Sequence, residues 1–112
     1  RKAFGKPIGT FQANRFTLAE MATELDVAEA YIDRCLQAVV NGELSAVDAS
    51  KNKWWCTELA KRVIDQCLQL HGGYGFMNEY AVGRAYCDSR IQTIFGGTTE
   101  IMKDLIGRDM GL

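Results

Sequence analysis

With 112 residues, 47% of them hydrophobic and a single proline, the chain has the size of one domain and a composition that favours compact helical structure over disorder. Thirteen Lys and Arg against 14 Asp and Glu give a formal charge of -1, which excludes the broad basic field that nucleic-acid binding needs. No run approaches the roughly 18 apolar residues of a membrane span, so a soluble protein is expected. The opening RKAFGKPIG has neither a signal peptide's apolar core nor a helix cap, and the sequence reads as a piece of a longer chain.

In chain order, Pro7 and Gly9 keep the first residues out of a helix. From Phe11 to Asn41 the apolar positions Leu18, Met21, Leu25, Ala28, Ile32, Cys35 and Val39 recur at steps of three and four, which predicts one long helix ending at Asn41-Gly42. A second helix is predicted from Ser45, where Ser45 and Asp48 approximate a capping box, with Cys56, Leu59, Val63, Ile64, Cys67 and Leu70 on one stripe and a stop at Gly72-Gly73. The short link makes the two an antiparallel hairpin. A shorter helix is expected over 79–91 with Tyr80, Val82, Tyr86 and Ile91 facing inward, although Gly83 weakens it. Thr98, Thr99 and Glu100 open a last helix carrying Ile101, Leu105 and Ile106. No strand pattern, repeat or low-complexity tract is present.

Candidate chemistry gathers at glycines. Gly72-Gly73-Tyr74-Gly75 lies between helices, so it fails the context test for a Rossmann fingerprint and reads either as a C-cap and turn or as a backbone cradle for ligand oxygens. Gly96-Gly97-Thr98 enters a helix, whose free N–H groups favour an anion or carbonyl oxygen, or simply form an N-cap. Arg1, Lys2 and Lys6 form a small basic cluster suited to a pyrophosphate or to plain solvation. Trp54-Trp55 suggests an interface, and His71 suggests a group that caps helix carbonyls more readily than one that catalyses. Cys35, Cys56, Cys67 and Cys87 lack a C-x-x-C pair, and with one histidine a structural zinc site is excluded. Cys35, Cys56 and Cys67 are expected as buried thiols.

Three separated motifs, RKAFGKPIGTFQ at 1–12, QLHGGYGF at 69–76 and IFGGTTEI at 94–101, resemble the C-terminal helical domain of the acyl-CoA dehydrogenases across essentially the whole chain. The resemblance implies an all-α, four-helix up-and-down bundle in which residues 1–112 form a partial C-terminal domain, with the first helix missing. It also implies a non-covalent FAD cofactor, an acyl-CoA substrate, an electron-transfer flavoprotein as partner and a homo-oligomer, dimer or tetramer, whose subunits share flavin sites. The implied location is the bacterial cytoplasm or the mitochondrial matrix. By the same resemblance Arg1 matches the arginine on the FAD pyrophosphate, and Phe11 and Gln12 match a pair near the adenosine. Gln69, Gly72 and Gly73 match contacts to the adjoining subunit's FAD, Thr98 and Glu100 contacts to the adenosine portion, and Gly97 a backbone contact near the thioester.

Gly96 departs from the pattern, since many members place their catalytic glutamate there, and glycine has no group to accept a proton. The long-chain and isovaleryl-type branch takes its base from an earlier helix, so no catalytic residue is expected within 1–112. Glu100 and Glu79 are the nearest carboxylates. Ala81 and Cys87 are smaller departures, where the family often has proline and arginine. The missing helix would leave an apolar groove that drives self-association. A helical interaction module using the Trp54-Trp55 face, and a redox-inactive CoA-ester binder, are the rival readings.

Overall fold

The computed structural model describes residues 1–112 as four helices preceded by a small hairpin. Strands β1 (Lys2–Ala3) and β2 (Lys6–Pro7) pair antiparallel around Phe4-Gly5, which take φ of 53° and 77° as a two-residue turn requires. The sequence carries no strand pattern and so predicts no strand. Two residues per strand are too few to display an alternation, so this hairpin corrects that expectation. Ile8 N–H donates to the Arg1 carbonyl at 2.9 Å, which extends the ladder and anchors the first residue.

Helix α1 (Gln12–Val40) ends in a Schellman motif, with Glu43 N–H on the Ala38 carbonyl at 2.8 Å and Gly42 N–H on Val39 at 3.0 Å. Five residues later α2 (Ala46–His71) begins at Ser45, whose Oγ accepts the Asp48 N–H at 2.9 Å while its hydroxyl donates to the Asp48 carboxylate at 2.9 Å. Tyr31 of α1 also donates to Asp48, so the hairpin is tied at its turn. Helix α2 is the axis of the molecule. It contacts α1, α3 (Ala81–Ser89) and α4 (Thr99–Asp109), and short 3-10 turns, Gly72–Phe76 and Arg90–Thr93, flank α3.

The core is thin. Ten of 112 residues are buried, and the radius of gyration is 17.2 Å. A compact chain of this length has about 13 Å. Of the predicted α1 stripe only Met21, Ala28 and Cys35 are buried, seven residues apart, whereas Leu18, Leu25 and Val39 are at least 41% exposed. One face of α1 therefore meets α2 along a narrow seam. Beside it an open groove of about 590 Å³ is lined by Leu25, Ile32, Cys56 and Leu59.

Two further expectations are corrected. Tyr80, Tyr86 and Ile91 are exposed, because the residues that α3 buries are its small ones, Gly83 against the neighbouring turn and Ser89. A β-carbon on Gly83 would lie 2.9 Å from both the Gly75 and Met77 carbonyl oxygens, so the residue that weakens the helix lets it dock. Among the cysteines only Cys35 is buried. Cys56 and Cys67 are half-buried, since Cys56 lines the open groove beside α1 and Cys67 lines a separate cavity at the far end of α2, and burial still pushes the Cys56 thiol up.

Candidate functional site

The candidate residues fall into two groups at opposite ends of α2. At its C-terminus the helix stops because Gly72 adopts φ 63° and returns its N–H to the Gln69 carbonyl. Into the space beside Gly72 comes the guanidinium of Arg1, whose Cζ would be 2.8 Å from a β-carbon there. Its one hydrogen bond is long, 3.5 Å from Nη1 to the Leu70 carbonyl. Most of its five N–H donors remain free for an anion. Arg1, Ile8, Leu18, Cys67, Leu70 and His71 line a cavity of about 220 Å³.

Around this end, Gln69 and Gly73 are exposed, as is Gln12 at the start of α1. Phe11 is half-buried under the hairpin, with the Phe4 ring edge-on at 6.2 Å and Lys6 Nζ 4.5 Å above it. Its ring packs on the hairpin that carries Arg1. The His71 ring Nδ1 lies 2.7 Å from the Cys67 carbonyl, so this histidine caps its own helix.

At the other end, Gly96, Gly97 and Thr98 form the turn into α4. Thr98 caps the helix by accepting the Ile101 N–H at 3.3 Å. The N–H groups of Gly96, Gly97 and Thr98 have no acceptor within the chain. Gly97 takes φ 105°, and a β-carbon on it would overlap Met102 Cε, whereas Gly96 at φ 64° is surrounded by open space. Glu100 is exposed, and its own N–H, followed by the Thr98 hydroxyl, holds its carboxyl below the usual range.

Two residues with no local sequence signal hold this turn. Lys53 Nζ donates to the Gly97 carbonyl at 2.5 Å, and Glu58 accepts the hydroxyl of buried Thr99 at 2.9 Å while pairing with Lys61. Lys61 first, then Thr99, depresses the Glu58 carboxyl. On a helical wheel Lys53, Thr57 and Lys61 form an i, i+4 row that resembles a solvated face, and the only signal against that reading is that all three are half-buried. Trp54 lies on the same side, with Lys103 Nζ 4.6 Å from its ring, and Trp55 meets it edge-on at 5.6 Å. Half of the expected aromatic interface thus packs on α4.

A family model described as the C-terminal domain of acyl-CoA dehydrogenase matches residues 1–111. The chain belongs to the acyl-CoA dehydrogenase family. It is 47% identical over 110 residues to the mitochondrial long-chain specific acyl-CoA dehydrogenase of Rattus norvegicus, covering 98% of this chain and 26% of that protein. It is 37% identical over 106 residues to the caffeyl-CoA reductase-Etf complex subunit CarC of Acetobacterium woodii, covering 95% of this chain and 28% of that protein. The crystal structure of an acyl-CoA dehydrogenase from Geobacillus kaustophilus superposes with a TM-score of 0.97 at 45% identity, over 100% of this chain and 30% of that one. The chain thus spans about a quarter of the length of the curated relatives it matches. The all-α architecture is that of the acyl-CoA dehydrogenase C-terminal domain. No helix is long and apolar enough to cross a membrane.

Proposed function

We propose that this chain is the flavin-binding and subunit-pairing part of an FAD-dependent acyl-CoA dehydrogenase that oxidises an acyl-CoA thioester across its α and β carbons and passes electrons to an electron-transfer flavoprotein. The observation that carries the reading is the pair of sites at opposite ends of α2. Lys53 and Gly72 are separated by roughly 28 Å of helix at 1.5 Å per residue. Arg1 with Gly72 forms one cationic cradle, and the free N–H groups of Gly96, Gly97 and Thr98 form the other. Such a separation supports a chain that serves two flavins, its own and that of a paired copy.

The residues suit the group. Arg1, with free donors beside a residue lacking a β-carbon, would hold the pyrophosphate, with Gln69, Gly72 and Gly73 offering backbone and side-chain contacts. Phe11, Gln12, Thr98 and Glu100 would meet the adenosine part, and Gly97 the thioester. Bound FAD would supply the acceptor for the β-hydrogen as hydride. The α-proton goes to a base outside residues 1–112, since Gly96 has no side chain and Glu100 is engaged at the start of α4. The relation to an Etf-complex subunit supports the flavoprotein partner.

The test is the full-length protein. It should purify yellow and lose its flavin colour on addition of an acyl-CoA. A colourless product that takes up no FAD would favour the interaction-module reading, and a flavin that stays oxidised would leave only a CoA-ester binder.

A further inference from the structure

We propose that Lys53 and Glu58 of α2 are positioning residues for the turn at 96–99, Lys53 by polarising the Gly97–Thr98 peptide and Glu58 by fixing Thr99, so that the turn presents its free N–H groups as one donor set. The proposal rests on the functional reading above and takes the main chain of that turn, from Gly97 on, to face the thioester, with the Thr98 side chain left to the adenosine part.

The geometry argues for more than a tie between helices. Lys53 makes no ion pair, and its polar partner is the Gly97 carbonyl. A half-buried ammonium without a carboxylate is a costly tie where a neutral donor would serve. A charged donor is roughly twice as strong as a neutral one, and it draws density from the carbonyl through the amide, which makes the following N–H a better donor. In a trans peptide that N–H points opposite to the carbonyl. With the Gly97 carbonyl directed at α2, the Thr98 N–H is turned away from α2 and has no acceptor in the chain. Glu58 acts one residue further on. Thr99 is buried, and its hydroxyl donates to Glu58, whose other oxygen is held by Lys61. The two contacts bracket Thr98, so the entry of α4 cannot rotate without breaking one of them.

The experiment compares Lys53→Met and Lys53→Arg with the unaltered full-length holoenzyme, reading kcat per bound flavin, flavin content and melting temperature. Lys53→Met should lower kcat per bound flavin by about fivefold or more while flavin content holds, because the turn's donors to the reacting group are weakened and no longer held in place. Lys53→Arg, which keeps a charged donor, should recover at least half of that loss. A smaller fall, a fall explained by lost flavin, or no recovery with arginine would overturn the proposal. If the unaltered protein fails to reduce its flavin with acyl-CoA, the functional reading falls instead, so the two failures are distinct.

Discussion

The guanidinium of Arg1 occupies the volume that a β-carbon on Gly72 would need, across 71 positions of sequence. The hairpin pins the backbone of Arg1 through Ile8, and the positive φ of Gly72 opens the end of α2 to receive its side chain. Gly72→Ala should therefore cost stability twice, with about 1–3 kcal/mol from the backbone alone, since φ 63° with ψ -140° is open essentially to glycine. It should also displace Arg1. Arg1→Ala should separate the effects, with the melting temperature nearly unchanged because the 3.5 Å bond to Leu70 is weak, but with lower flavin retention in the full-length protein. The ratio of visible to ultraviolet absorbance after gel filtration reads retention, and equal ratios would remove the pyrophosphate role from Arg1.

Gly83→Ala sets two opposed effects against each other. Alanine should favour α3 by about 1 kcal/mol through helix propensity. The new methyl would meet two carbonyl oxygens at 2.9 Å, and the Gly75 turn cannot retreat easily, because a β-carbon on Gly75 would itself lie 2.5 Å from the Leu68 carbonyl. Overpacking of this kind costs roughly 1–3 kcal/mol, so the net change should be destabilising. A denaturant midpoint at or above that of the unaltered chain would contradict the close docking of α3.

Neighbouring glycines in the α4 turn should respond differently. Gly97→Ala collides with Met102 as well as straining the backbone, while Gly96→Ala meets nothing within 4 Å. Both carry a left-handed cost of about 1–2 kcal/mol, and Gly97→Ala should exceed it. Paired thermal melts decide this, and equal losses would mean that Met102 moves aside.

Acid should weaken the turn between α1 and α2. The Ser45 hydroxyl, followed by the Arg34 charge, lowers the Asp48 carboxyl. A group whose folded pKa is depressed stabilises above its unfolded value and loses that contribution as pH falls through the folded one. The loss should start near pH ~4, the ordinary carboxylate value, and finish below it. Ser45→Ala removes the N-cap, worth about 1 kcal/mol at neutral pH. Its deficit should shrink on acidification, and melts from pH 7 to below the carboxylate range measure the gap; a constant deficit would mean that the hydroxyl does not hold the carboxylate.

The long helices were legible because 29 and 26 residues carry many repeats of a 3.6-residue period, and Ser45 and Thr98 mark the entries of α2 and α4 by chemistry that acts locally. The hairpin was illegible because its information lies in one turn, Phe4-Gly5. The candidate glycines were visible as residue types, yet what each one admits, a guanidinium at 72 or a methionine methyl at 97, depends on distant side chains. Lys53 and Glu58 were hidden for the same reason. Their partners are 44 and 41 residues away, and no local pattern separates such charges from a solvated face.

Because α1 meets α2 mainly through Met21, Ala28 and Cys35, one anchor every two turns, the two long helices are unequal in how tightly they are held. Opening of α1 breaks few packed contacts, whereas α2 is gripped by three helices. Backbone amides of α1 should thus exchange with solvent through a low-energy, sub-global opening, while those in the middle of α2 wait for complete unfolding.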